Sequence, residues 1–315
     1  YAQYLNQLGL TDENGNALTL ESSEEGIYAA GSYYDYLKNV VEQSLNNFLI
    51  DTSFPYTVTS GGGFMGGPPA GGMPAGGPPS GAMPAGGPPA GAMPAEAASS
   101  EVVTTTYATA QDYIDSLNTD AQWVNYDAAS NTATITSLAD FATYVKTASK
   151  SVPAFDDLQR GQAENQVFGN DESDALHFDS TVANLLKENQ ANYATYTDWD
   201  SSLIDAYATD LAAVDKLGNG IQERLNMYNP MYYLLASYGG YHTSTVAKYW
   251  RINTGIEQGD TASTVEVNLA LALENYDGVE DVQFTTVWNQ GHTMAERTGN
   301  STDNFIAWVN EVVKQ

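Results

Sequence analysis

The chain contains no cysteine, which excludes disulfides, thiol nucleophiles and cysteine-ligated metals. Positive charge is scarce. Lys and Arg together number 11 against 39 Asp and Glu, for a net charge of −28. Nucleic acid and anionic membrane surfaces both need positive charge, so neither is an expected partner. Such acidity suits solubility outside a cell, and we expect an extracellular or cell-surface protein. No apolar run reaches the roughly 18 residues of a membrane span. No cofactor or metal is called for. Histidine is limited to three residues, 177, 242 and 292. No G-x-S-x-G segment occurs anywhere.

Proline is nearly confined to one stretch. Residues 61–97 contain most of the 12 prolines, and three near-identical decapeptides run from Gly66 to Ala95: GGPPAGGMPA, GGPPSGAMPA and GGPPAGAMPA. Such a segment cannot form helix or sheet interior and favours polyproline II. It reads as an exposed spacer, with a docking or self-association element as the alternative. Before it, YAQYLNQLGL begins as a helix, which points to a processed or incomplete product. Residues 32–49 place Leu37, Val40, Val41, Leu45 and Phe48 at helical spacing behind a capping Ser32. Between the helices, Asn14-Gly15-Asn16 signals a turn. Asp12, Asn14 and Asn16 also have the spacing that opens a calcium loop, but the loop's glycine and distal glutamate are missing. After the repeats, WVNYDAASNTATIT predicts a hairpin and Ser137 caps a helix to about residue 147. Residues 180–190 and 199–215 read as helices.

The last quarter changes pattern. YWRINTGI (249–256) is a short strand, and a helix carrying Val265, Val267, Leu269, Leu271 and Leu273 follows. VQFTTVW (282–288) is a second strand. Ser301 caps a final helix with Phe305, Trp308, Val309 and Val312 on one face. Strand, helix, strand and helix with short connections imply parallel strands and right-handed crossovers. Asp260 and His292 then both fall just past carboxyl ends of neighbouring strands, the edge where open α/β sheets carry active sites. A carboxylate and an imidazole there suggest an acid–base pair. The competing reading is a helix-capping Asp260 and a structural His292.

The segments YWRINTGIEQGDTASTVEVNLALAL and DVQFTTVWNQGHTMAERTGNSTDNFIAWVNE resemble the C-terminal part of bacterial α/β-hydrolases of the tannase and feruloyl-esterase-like group. RGQAENQVFG (160–169) and NMYNPMYYL (226–234) resemble that group's cap and its return to the core. The resemblance implies an α/β-hydrolase fold in which Asp260 is the triad acid and His292 the triad base, in the order Ser, Asp, His. It also implies substrate-binding roles. In tannases a cap lysine and glutamate grip phenolic hydroxyls, and the matching positions are Lys150 and Glu164. An acidic residue two places after the triad Asp makes a third contact there; here that position is Ala262. This departure favours a broader esterase acting on aromatic or other acyl esters.

A second departure is the absent nucleophile elbow. Ser237 in LLASYGGYH precedes Asp260 too closely to leave room for the intervening strand, helix and cap, and YLLASYGG reads as a helix end stopped by Gly239 and Gly240. We therefore expect the C-terminal portion of a hydrolase core with a large mixed α+β cap. Residues 1–60 begin the cap, 61–97 are the repeat insert, 98–230 complete the cap, and 231–315 carry the triad Asp and His. The expected partners are an ester substrate and an N-terminal hydrolase fragment carrying the nucleophilic serine. The rival reading is a non-catalytic extracellular structural or binding protein that self-associates through its repeats.

Overall fold

The computed structural model describes residues 1–60, 103–146, 156–259, 261–291 and 295–314. In chain order the elements are α1 (Ala2–Leu8), α2 (Ser32–Asp51), β1 (Tyr56–Ser60), β2 (Val103–Tyr107), α3 (Ala110–Leu117), β3 (Val124–Asp127) and β4 (Thr132–Ile135). Then follow α4 (Leu138–Tyr144), α5 (Ala163–Val167), α6 (Ser180–Glu188), α7 (Gln190–Tyr193), α8 (Ser202–Leu211), α9 (Ile221–Tyr228) and α10 (Pro230–Leu234). Last come β5 (Tyr249–Gly255), α11 (Ser263–Glu274), β6 (Asp281–Val287) and α12 (Ser301–Val312).

The expected strand–helix–strand–helix unit is present. β5 and β6 pair in parallel from Tyr249↔Asp281 to Gly255↔Val287, with α11 as the crossover. Alternation sorts the two strands into faces. Trp250, Ile252, Val282 and Phe284 pack against an apolar core with α1, α10 and α11. Arg251, Asn253, Gln283 and Thr285 line the other face, beside Glu296 and Asn304. α11 buries Val267, Ala270, Leu271, Ala272 and Leu273, more than one stripe. A helix this apolar belongs between layers, and it lies between the sheet and α10.

The predicted hairpin is β3–β4, antiparallel in the register Val124↔Ile135 to Asp127↔Thr132. It forms a second core with α3, α4 and the C-terminal half of α2, centred on Leu45, Ile114, Trp123 and Ile135. α2 thus contributes to two cores, with Tyr33 in the first and Val41, Leu45 and Leu49 in the second. A smaller cluster of Phe168, Leu176 and Ile221 organises residues 156–229. Residues 61–102 join β1 to β2, which pair antiparallel with Ser60 opposite Val103. The repeat segment itself lies outside the described residues.

Several local expectations need correction. Ser32 is the first residue of α2, and Gly31 is its cap, at φ 96°. A Cβ on Gly31 would meet the Thr19 carbonyl oxygen at 2.4 Å. The Ser32 hydroxyl instead ties α2 to the preceding loop, donating to Ala17 O and accepting from Thr19 N, both at 2.9 Å. Likewise Asn300, not Ser301, caps α12, accepting from Asp303 N. Ser137 does cap α4. α10 stops at Leu234, before Gly239 and Gly240, because Leu235 turns extended. α12 buries no residue, and Phe305 and Ile306 are more than half exposed. Its expected apolar face is therefore covered only in part.

Candidate active site

At the carboxyl end of the parallel ladder the chain does not diverge at once. Ile256 N donates to Val287 O at 2.9 Å, and Glu257 N donates to Gln290 O at 3.0 Å. The loops after β5 and β6 are therefore hydrogen-bonded to each other. Gly255 makes this approach possible. A Cβ there would meet the carbonyl oxygens of Gly291 at 2.0 Å and Gln290 at 2.4 Å, backbone atoms with nowhere to go.

Both loops are anchored in the second core. Ile256 and Trp288 are buried among Phe141, Trp123 and their neighbours. The Trp288 indole N–H donates to the Tyr113 hydroxyl at 2.7 Å, and burial pushes that phenol far above its usual range. Asn289 takes a left-handed backbone, φ 58°, which asparagine tolerates. Its side-chain amide donates to the Tyr56 hydroxyl. Ser44 of α2 donates to Thr286 O at 2.8 Å. Lys146, beyond α4, donates to Gln258 O at 2.6 Å, and burial lowers its pKa. Burial also raises the carboxyl pKa of Glu257. A cleft of about 140 Å³ opens here between α2 and the end of β6, lined by Asn47, Tyr56, Trp288, Asn289 and Gln290.

Asp260, His292 and Lys150 lie outside the described residues. Glu164 is on α5 and lines a groove of about 660 Å³ with Phe168, Phe178, Leu225, Tyr228 and Pro230. No described residue of the loops after β5 and β6 lines that groove. Ala262 is the N-cap residue of α11 and offers no side-chain cap. Ser237 sits in an exposed turn after α10, with no strand leading into it. Asp12 turns its carboxylate onto its own loop, accepting from Asn14 N, Asn16 N and the Asn16 amide, as a simple turn does.

One buried polar cluster gave no sequence signal. Asp156 accepts from His177 Nδ1 at 2.8 Å, Asn165 Nδ2 at 2.8 Å, Phe178 N at 2.8 Å and Asp179 N at 2.7 Å. The His177 ring stacks on Tyr207 with centroids 3.7 Å apart. Burial pushes the Asp156 carboxyl up, but these four donors outweigh it and hold the pKa below the usual aspartate value.

No protein-family model and no curated protein matches the sequence. Solved structures do. A tannase from Fusobacterium nucleatum superposes with a TM-score of 0.58 at 23% identity, over 99% of this chain and 44% of that one. A tannase from Lactobacillus plantarum gives 0.51 at 20% identity, over 99% of this chain and 43% of that one. A tannin acyl hydrolase in complex with ethyl gallate gives 0.50 at 22% identity, over 99% and 44%. The chain thus spans less than half the length of the structures it matches, and over that length it has the fold of the tannases.

Proposed function

We propose that this chain supplies the acid and base of a serine carboxylic ester hydrolase acting on phenolic or other acyl esters. Asp260 is the acid and His292 the base of a triad whose serine lies outside these 315 residues. One observation carries the reading. Gly255 and Val287 are paired at the end of a parallel ladder, and Asp260 and His292 stand the same number of positions beyond them. The two loops are joined through Glu257 and Gln290. Open α/β sheets place their reacting groups at that edge.

The Asp260 carboxylate accepts the imidazole Nδ1 proton, fixes the tautomer and stabilises the imidazolium that forms. His292 Nε2 takes the serine proton as the hydroxyl attacks the ester carbonyl, then returns it to the leaving alcohol. Water repeats the cycle on the acyl-enzyme. Glu164 and Lys150 grip hydroxyls of the acyl group. An aromatic acid suits the apolar, aromatic-lined groove that Glu164 borders. Ethyl gallate is bound by one solved neighbour. Ala262 removes one acidic contact, which widens the acyl range. On this reading residues 1–60 and 98–230 form a cap, 61–97 a polyproline II spacer, and 231–315 the core portion. The enzyme works outside the cell, paired with an N-terminal hydrolase fragment that brings the serine.

The test is purification from the native source, with intact mass, N-terminal sequencing and assay on gallate and simple aryl esters. A polypeptide carrying G-x-S-x-G should copurify. The 315-residue chain alone should be inactive. In the complete enzyme, Asp260→Asn should lower kcat by about 10⁴-fold, and His292→Gln by about 10⁶-fold. Turnover by the chain alone that is abolished by Ser237→Ala would overturn the proposal. So would a complete enzyme indifferent to both substitutions.

A further inference from the structure

We infer that Gln258 and Gln290 are positioning residues, each closing one strand-end loop with its own side-chain amide. The inference rests on the acid–base reading above, because the loops so closed are the ones that contain Asp260 and His292.

The two arrangements match. Gln258 is buried. Its Nε2 donates to Thr261 O at 2.8 Å, and its Oε1 accepts from Thr261 N at 2.9 Å. Gln290 Nε2 donates to Glu296 O at 2.7 Å, and its Oε1 accepts from Glu296 N at 3.0 Å. In each case one primary amide satisfies both backbone polar groups of one residue, as a neighbouring β-strand would. Both ends of a loop are then fixed relative to each other, in distance and in orientation. Residues 259–260 lie inside the first bracket and 291–295 inside the second.

Both brackets are themselves held. The second proton of Gln258 Nε2 goes to Glu266 Oε1 on α11 at 2.7 Å. Glu296 receives Arg251 through two bonds, at 3.0 and 2.6 Å, and Asn304 at 2.9 Å. The brackets are also joined, since the backbone oxygen of Gln290 accepts from Glu257 N, next to Gln258. A generic loop tie would need only one of these contacts. Two reciprocal amides, one per loop and linked across the loops, fix the ends of each loop relative to those of the other. An acid–base pair needs its two groups held within hydrogen-bond reach.

The experiment is NMR on the purified protein, with wild type compared with Gln258→Met, Gln290→Met and Gln290→Glu. Three histidines make the imidazole signals assignable, and His177 and His242 report whether the rest of the fold is intact. Asp260→Asn serves as the reference for the pair itself. In wild type the His292 pKa should lie at least about one unit above the ordinary 6.5, and Asp260→Asn should remove that rise. Each Met variant should bring His292 back towards 6.5 and speed exchange of the Thr261 or Glu296 amide about tenfold or more. Gln290→Glu keeps the acceptor for Glu296 N–H, and should retain amide protection and part of the His292 shift. If Asp260→Asn leaves His292 unmoved, the acid–base reading fails and the positioning role falls with it. If Asp260→Asn acts but the Met variants leave His292 at its wild-type pKa, the positioning role alone is overturned. Unchanged exchange at Thr261 and Glu296 would overturn it equally, by removing the brackets.

Discussion

A single missing side chain decides how closely the two strand-end loops approach. Gly255 lies under the carbonyls of Gln290 and Gly291, and the Gln290 carbonyl is held in place by Glu257 N. Gly255→Ala should destabilise the protein by about 1–3 kcal/mol, as overpacking of a tight site does. A lower urea midpoint with unchanged slope would show it. An unchanged midpoint would mean the loops do not approach as described. Asp156 supplies a prediction in pH. Its folded pKa is depressed below the 3.8 of the free side chain. The stability it contributes is therefore fully present above about pH 4–5 and is lost as pH falls through 3.8 towards the folded value. Asp156→Asn should cost about 3 kcal/mol at pH 7, because buried donors lose an ionised acceptor. The cost should shrink at pH 3, and chemical denaturation at the two pH values checks it. An equal cost at both would show that the carboxylate charge is not what matters.

Among the elements, α2 and the β1–β2 pair show how far local pattern reaches. Helical spacing over 32–49 was legible, and the helix is there. The pattern could not say that its two halves face different cores, because an apolar stripe records that a face is buried and not against what. β1 and β2 were not anticipated. They are short, rich in threonine and separated by residues 61–102, so nothing nearby in sequence announces their pairing. Their ladder closes at Ser60↔Val103, so the connection of residues 61–102 starts and ends at adjacent backbone positions. The closure entropy of such a connection depends only weakly on its length. Deleting residues 66–95 should therefore shift the thermal midpoint by only a few degrees, on the scale set by about 1 kcal/mol. Loss of folding or of self-association after the deletion would instead favour a structural role for the repeats.

For the molecule as a whole, charge is the dominant physical fact. With a net charge of −28, self-repulsion works against the compact state. Raising ionic strength from about 10 mM to about 150 mM shortens the screening length from roughly 30 to 8 Å. The melting temperature should rise measurably between those conditions in calorimetry, and no rise would show that the acidic groups are already spaced or paired well enough. Among the described residues no helix is long and apolar enough to cross a membrane.

The sequence by itself determined the absence of thiol chemistry, an acidity that disfavours nucleic acid and anionic membrane as partners, and the strand, helix, strand, helix order at the C-terminal end. It also placed an acidic residue and a histidine after two strands whose parallel pairing the structure bears out. These are properties of composition and local periodicity, which short-range sterics and solvation make readable. Tertiary structure alone decided that Gly255 must lack a side chain, that Gln258 and Gln290 fold back on their own loops, and that Asp156 and His177 meet in the interior. Each depends on groups brought together by packing rather than by period. A glutamine in a loop, or an aspartate well separated in sequence from its histidine, carries no mark of its partner until hydrophobic burial has brought the elements together and removed the water that would otherwise satisfy it.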